Sequence, residues 1–280
     1  IFGKSKDKST VYHLADVLNS HKIKFNNISE DIIINGNKYL KDNSYIIPMN
    51  QPKRTLIKGM FNTQTKFRDS LFYDVSAWTF PLAFNVKYDY TDGFSQTKIS
   101  KLIDNQVDNL TKPNGFVDSK SEYAYIFEPH EYYTQAAIYK ILDHGIRVKT
   151  ATRRFSINGK KYDYGTYMIQ VQNQELSSDE IYKLLSNISA EYNVNFESQP
   201  TGITNGIDLG SDYFIIVNQP KIALIVGDGV RSYDAGEIWH LLDTRYDIPI
   251  TKLDIGDLGY IDLNKYSHII LPDYNGNRIN

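Results

Sequence analysis

Cysteine is absent from the 280 residues, which removes disulfides, thiolate metal sites and a cysteine nucleophile together. That absence suits an oxidising or a reducing compartment equally. No apolar run approaches the roughly 18 residues that a bilayer-spanning helix needs. Charge of neither sign dominates: 31 basic residues face 33 acidic ones, for a net charge of −2. Nucleic-acid binding needs a concentrated positive footprint, so nucleic acid is not an expected partner. The first residues, IFGKSKDKST, lack the basic start and apolar core of a signal peptide. They read as an interior boundary. What the chain has in quantity is tyrosine, 22 of them, a residue that suits half-buried strand positions.

The sequence repeats itself. Val11 to Gln51 lies over Thr134 to Gln174 at a constant shift of 123 residues without a gap. His21 falls on His144, Asn35-Gly36 on Asn158-Gly159, Lys38-Tyr39 on Lys161-Tyr162, and Asn50-Gln51 on Asn173-Gln174. Val11, Leu14, Ala15 and Leu18 take helical spacing, as do Ala137, Ile138, Ile141 and Leu142. Thr134 is the expected N-cap of the second helix. Short strands follow, IKF in one copy and IRV in the other, and then the Asn-Gly pairs. Both residues of such a pair accept positive φ, so each predicts a tight hairpin. Another strand comes next, and then a helix in which Ile57, Met60 and Phe61 match Ile181, Leu184 and Leu185.

The expected fold class is therefore α/β: a duplicated α/β module over residues 1–87 and 122–217, with 88–121 connecting them. One short helix is predicted in the connection, over the amphipathic patch Ile99 to Val107. From 218 the pattern changes to strand, helix, strand, strand, with apolar runs that predict a parallel sheet covered on both faces. Only three strands fit before Asn280, so residues 218–280 are expected to be the truncated start of a flavodoxin-like parallel-sheet unit.

Gly227-Asp228-Gly229 follows the first strand of that unit, where a dinucleotide fingerprint would carry G-x-G-x-x-G. Ser232 stands in place of the third glycine. Asp234 and Glu237 have the spacing of a capping box, which predicts a late helix over Asp234–Arg245 after a loop of about seven residues. Asp254 ends the next strand, where a ribose-binding carboxylate would sit. Open α/β sheets bind ligands at this edge, so Asp228, Ser232, Tyr233, Asp234, Glu237 and His240 form the candidate ligand-binding rim. No catalytic residue and no metal ligand is assigned. His13-x-x-Asp16 and His240-x-x-Asp243 each place a histidine and a carboxylate on one helical face, but polar-face hydrogen bonding accounts for them. His21 and His144 at helix ends complement the helix dipole. Asp74, Ser76 and Trp78 make a polar–aromatic group whose ordinary reading is packing around a turn.

Several phrases together resemble a known group: SYIIPMNQPKRTLIKGMF, DSLFYDVSAWTFPLAFN, YGTYMIQVQNQ, TNGIDLGSDYF and KIALIVGDGVRSYDAGEIWHLLDTRYDIPIT. They resemble the region after the catalytic domain in large bacterial zinc carboxypeptidases of the carboxypeptidase A-like family. That family holds zinc through HxxE and a later histidine; the present sequence has no HxxE. The resemblance implies a non-catalytic accessory region with no cofactor of its own. Zinc is then expected in an adjoining peptidase catalytic domain, which would act on peptide substrates, in a periplasmic or extracellular setting. The last unit is similar to the opening of class I glutamine amidotransferase-like domains, with KIALIVG as first strand; any nucleophile elbow would lie beyond Asn280. Two other readings stay open. One is a stand-alone module binding a small ligand between the two repeats, and the other is an enzyme working through the rim from Ser232 to His240.

Overall fold

The computed structural model describes residues 1–3, 6–63, 79–91 and 96–275, with the side chain of Gln96 excepted. The Asp74, Ser76 and Trp78 group lies outside the described residues. The chain is mixed α and β and divides into two compact units, Ile1–Pro113 with His130–Tyr132, and Asn114–Pro129 with Tyr133–Asn280. Among the described residues no helix is long and apolar enough to cross a membrane.

The first unit runs β1 (Phe2–Gly3), α1 (Lys8–Ser20), β2 (Asn26–Ile28), β3 (Ile32–Ile34), β4 (Asn37–Tyr39), β5 (Ser44–Ile46), α2 (Arg54–Phe61), α3 (Phe80–Ala83), β6 (Lys87–Tyr88), α4 (Gln96–Leu102) and β7 (Ile103–Gln106). Its five-stranded sheet has the order β6-β1-β5-β2-β7, antiparallel throughout. Asp7 caps α1 by accepting from Thr10 N at 3.2 Å. The helix buries Val11, Leu14, Ala15 and Leu18 against Phe2, Phe25, Ile57 and Met60. The opposite face of the sheet carries the β3–β4 hairpin, with Ile28, Ile34, Tyr39 and Ile46 packed together.

The second unit opens with β8 (Ala124–Phe127), α5 (Thr134–Asp143), β9 (Val148–Ala151), β10 (Phe155–Ile157), β11 (Lys160–Tyr162), β12 (Tyr167–Gln170), α6 (Ser178–Tyr192), β13 (Glu197–Gln199) and β14 (Phe214–Val217). Its antiparallel sheet reads β13-β8-β12-β9-β14. The order corresponds strand for strand to that of the first unit. All four residues of β8 are buried. Because side chains alternate across a strand, Tyr125 and Phe127 meet the layer of α5 and α6, while Ala124 and Ile126 meet the hairpin residues Phe155 and Tyr162. Ser177 and Glu180 cap α6 reciprocally.

Both Asn-Gly pairs form the predicted turns, with φ of 48° and 80° at Asn35 and Gly36, and 50° and 81° at Asn158 and Gly159. Other expectations change. Thr134 is the first helical residue rather than the cap, and its hydroxyl donates to Glu128 O at 3.2 Å. The strands expected at IKF and IRV begin later, at Asn26 and Val148. The patch 99–107 is helix only to Leu102 and then becomes β7, because its backbone pairs with β2 at the sheet edge.

One side-chain clamp occurs in both units. Gln51 accepts from Lys24 N at 2.9 Å and donates to Lys24 O at 2.9 Å and to Pro48 O at 2.7 Å. Gln174 accepts from Arg147 N at 3.0 Å and donates to Arg147 O at 3.1 Å and to Gln170 O at 2.7 Å. An amide does this well because it offers an acceptor and two donors on one plane. Gln174→Ala is expected to lower stability by roughly 1–2 kcal/mol, the net value of a few partly exposed hydrogen bonds, with a similar loss for Gln51→Ala. Urea denaturation measures it, and an unchanged midpoint in either variant contradicts the clamp.

The second unit continues into β15 (Ile222–Val226), α7 (Ser232–Trp239), a π-helical turn (His240–Arg245), β16 (Ile250–Asp254), a 3-10 segment (Ile255–Tyr260) and β17 (His268–Ile270). The sheet order is β16-β15-β17, and both pairings are parallel. Ala223, Ile225 and Leu253 are covered by Ile255, Leu258, Ile261 and Tyr266. Tyr192 Oη donates to Asp247 Oδ2 at 2.8 Å, joining α6 to the turn before β16.

Candidate functional site

The loop after β15 is five residues long, 227–231, because α7 begins at Ser232 with Arg231 as N-cap. The Asp234/Glu237 capping box and the late helix start do not form. Tertiary pairing sets the boundary instead: Arg231 N donates to Asp273 O at 2.9 Å and Asn275 N to Gly229 O at 2.9 Å. Asp234 falls in the first helical turn, where a negative charge complements the dipole. Beyond Trp239 the helix widens into the π turn rather than continuing as α-helix to Arg245.

Gly227 and Gly229 hold φ of 105° and 84°, a region open to glycine and unfavourable for other residues. Gly227 also makes room. A Cβ there would lie 2.6 Å from Asp254 Oδ2. Asp254 is thus placed beside the glycine turn, and its Oδ1 accepts from Gly256 N at 2.8 Å. A fixed carboxylate against the turn opposes a phosphate in that position.

A cavity of about 280 Å³ lies between α7 and the sheet. Leu224 and Val226 line it from β15, Lys252 from β16, and Ala235 and Trp239 from α7. Of the six rim residues, Ser232 alone lines it. Tyr233 is 84% exposed; Asp228, Glu237 and His240 are exposed and Asp234 is half-buried. Ser232 and His240 are eight residues apart, about 12 Å along a helix axis. No hydrogen bond joins Ser232, Asp234, Glu237 and His240, so they do not form a nucleophile–base arrangement of the kind hydrolases use. Trp239 and Lys252 line the cavity outside the rim that the sequence pattern points to. The available signal was a lysine in the middle of ITKLD, a strand whose faces were expected to be apolar.

His13 and His144 make local contacts. The His13 ring packs edge-on against Tyr132 at 5.0 Å between centroids, and His144 Nδ1 lies 2.8 Å from Lys140 O at the end of α5. Among the described residues no group of three His, Asp or Glu side chains is placed to hold a metal ion.

Three tyrosines bound to carboxylates are pushed furthest from their ordinary range, Tyr192 of α6 beside Asp247 and one on each hairpin. Tyr39 Oη donates to Asp89 Oδ2 at 2.7 Å, and Asn35 and Asn37 donate to the same carboxylate at 2.9 Å each. Tyr162 Oη donates to Glu197 Oε2 at 2.7 Å, and Lys160 pairs with Glu197 and, at 3.4 Å, with Glu128. Burial first, and then the carboxylate neighbour, push both phenols far above their ordinary range. Desolvation raises the Asp89 carboxyl, but the hydrogen bonds from Tyr39, Asn35 and Asn37 outweigh it and hold it below its ordinary 3.8. A depressed carboxyl contributes stability above its unfolded value and loses it as pH falls through its folded one. Below pH of about 3.8, stability should therefore fall less steeply in Asp89→Asn than in the parent chain. Equal slopes in acid unfolding curves would contradict this latch.

No protein-family model, no curated protein and no solved structure matches the chain.

Proposed function

We propose that the chain is a non-catalytic accessory region of a bacterial zinc carboxypeptidase of the carboxypeptidase A-like family. In this reading it comprises two copies of one α/β module followed by a flavodoxin-like, amidotransferase-like parallel-sheet unit. It supports the catalytic domain or the access of peptide to it, and zinc belongs to that adjoining domain. The phrases resembling the family span both units. Matching strand orders, paired Asn-Gly hairpins and the twin glutamine clamp favour the duplication. The order β16-β15-β17 suits the opening of a doubly wound sheet.

The observation that carries the non-catalytic assignment is the use made of the polar side chains. Asp89, Glu197, Gln51 and Gln174 hold hairpins and strand ends together, and the rim on α7 is divided between the cavity and solvent. Sequencing the encoding gene on the 5′ side of Ile1 tests the reading. The expected result is an HxxE and a later histidine in the same reading frame. A frame without them refutes it, as does peptide hydrolysis by residues 1–280 alone.

A further inference from the structure

Two features of the cavity under α7 suit a ligand. The first is Lys252. It pairs in register with Leu224 on β15, so it shares a sheet face with Leu224 and, by the strand alternation, with Ile222 and Val226. Lys252 is exposed on the edge strand β16, so its ammonium stands at the open side of the cavity, within reach of a ligand. Lys252 makes no ion pair among the described residues; its ammonium lies 5.2 Å from the centroid of the Trp239 ring. The second is Gly236, inside α7. A Cβ added there meets no atom within 4 Å, so the fold leaves room for alanine. Glycine inside a helix costs about 0.5–1 kcal/mol relative to alanine, and here it keeps one wall of the cavity open.

We propose that this cavity binds a small monocarboxylate with an apolar body. Lys252 pairs with the carboxylate, the Ser232 hydroxyl supplies a further donor, and Leu224, Val226, Ala235 and Trp239 enclose the body. The volume of about 280 Å³ is at the small end of ligand pockets, about 300–1,000 Å³, which fits one ring or a short branched chain. A phosphate dianion needs several donors around it. This lining offers one side-chain ammonium and one hydroxyl, and Asp254 lies beside Gly227, which also lines the cavity; its charge repels a dianion about twice as strongly as a monocarboxylate. The inference does not rest on the peptidase reading.

Isothermal titration calorimetry of the whole chain with 3-phenylpropionate and with 4-methylpentanoate tests it. At least one should bind saturably at one site, whereas 3-phenylpropylamine and inorganic phosphate should not. Lys252→Met should weaken the carboxylate about 10- to 100-fold, the range for losing a charged hydrogen-bond partner. Gly236→Leu should abolish binding by filling the cavity, with the melting temperature unchanged or higher. The proposal is overturned if neither acid saturates, if the amine binds as well, or if folded Gly236→Leu retains the parent affinity.

Discussion

Phe127→Ala is expected to destabilise the second unit by about 3–5 kcal/mol, the range for emptying a large aromatic from a packed core. Phe127 is fully buried in β8. It stacks on Tyr167 with centroids 5.2 Å apart and meets Phe196 edge-on at 4.9 Å. Tyr167 is its cross-strand partner on β12, so one truncation breaks an aromatic cluster lying over the middle of the sheet. Aromatic pairs add about 0.5–1.5 kcal/mol beyond area burial. The cavity left behind cannot collapse easily, because β8 is held by neighbouring strands on both sides. Domains have only about 5–15 kcal/mol in total, so the variant should show a much lower urea midpoint and a wide pre-transition slope. Phe116 is 56% exposed, and Phe116→Ala should change stability by less than about 0.5 kcal/mol. If the two variants behave alike, β8 is not a strand buried on both faces.

β8 also shows why part of the fold was legible and part was not. The hairpins were readable because Asn35-Gly36 and Asn158-Gly159 carry their conformation locally, in two adjacent residues able to take positive φ. The helices were readable because α1 and α5 show their buried stripes at helical spacing. β8 has no alternation to read, since both of its faces are apolar. β1 and β6 have two residues each, too short for any period, and they exist because neighbouring strands supply hydrogen-bond partners. The glutamine clamp left a trace, the identity of Gln51 and Gln174 across the shift of 123 residues. Its long-range bonds to Lys24 and Arg147 have no local signature. At the site the same distinction holds. The bounds of β15 and β16 are legible in the sequence as apolar runs, whereas Ser232, which reads as a loop residue, is the first residue of α7. The start of α7 was misplaced because residues 273–275 fix it from about forty positions away. Lys252 drew no notice because its meaning depends on its register with Leu224.

Gly227→Ala is expected to destabilise the second unit by roughly 1.5–3.5 kcal/mol, from two sources that can be separated. A left-handed φ costs a residue with a Cβ about 1–2 kcal/mol, and Gly227 sits at φ 105°. The new Cβ would also be 2.6 Å from Asp254 Oδ2 and 2.8 Å from its Cγ, so this exposed carboxylate must swing aside and give up its bond to Gly256 N, a loss of about 0.5–1.5 kcal/mol. Asp254→Ala removes the obstacle together with its hydrogen bond to Gly256 N, an exposed contact worth about 0.5–1.5 kcal/mol. In the double variant the steric part vanishes and the conformational part stays. The two substitutions should therefore couple favourably by about 0.5–1.5 kcal/mol, beyond the few tenths seen for independent sites. Urea denaturation of all four proteins measures the cycle. A neutral Gly227→Ala would show that the turn does not hold a left-handed residue, and zero coupling would show that the Asp254 carboxylate does not rest on it. With coupling present, Gly227-Asp228-Gly229 is a turn shaped to seat an aspartate at the end of β16.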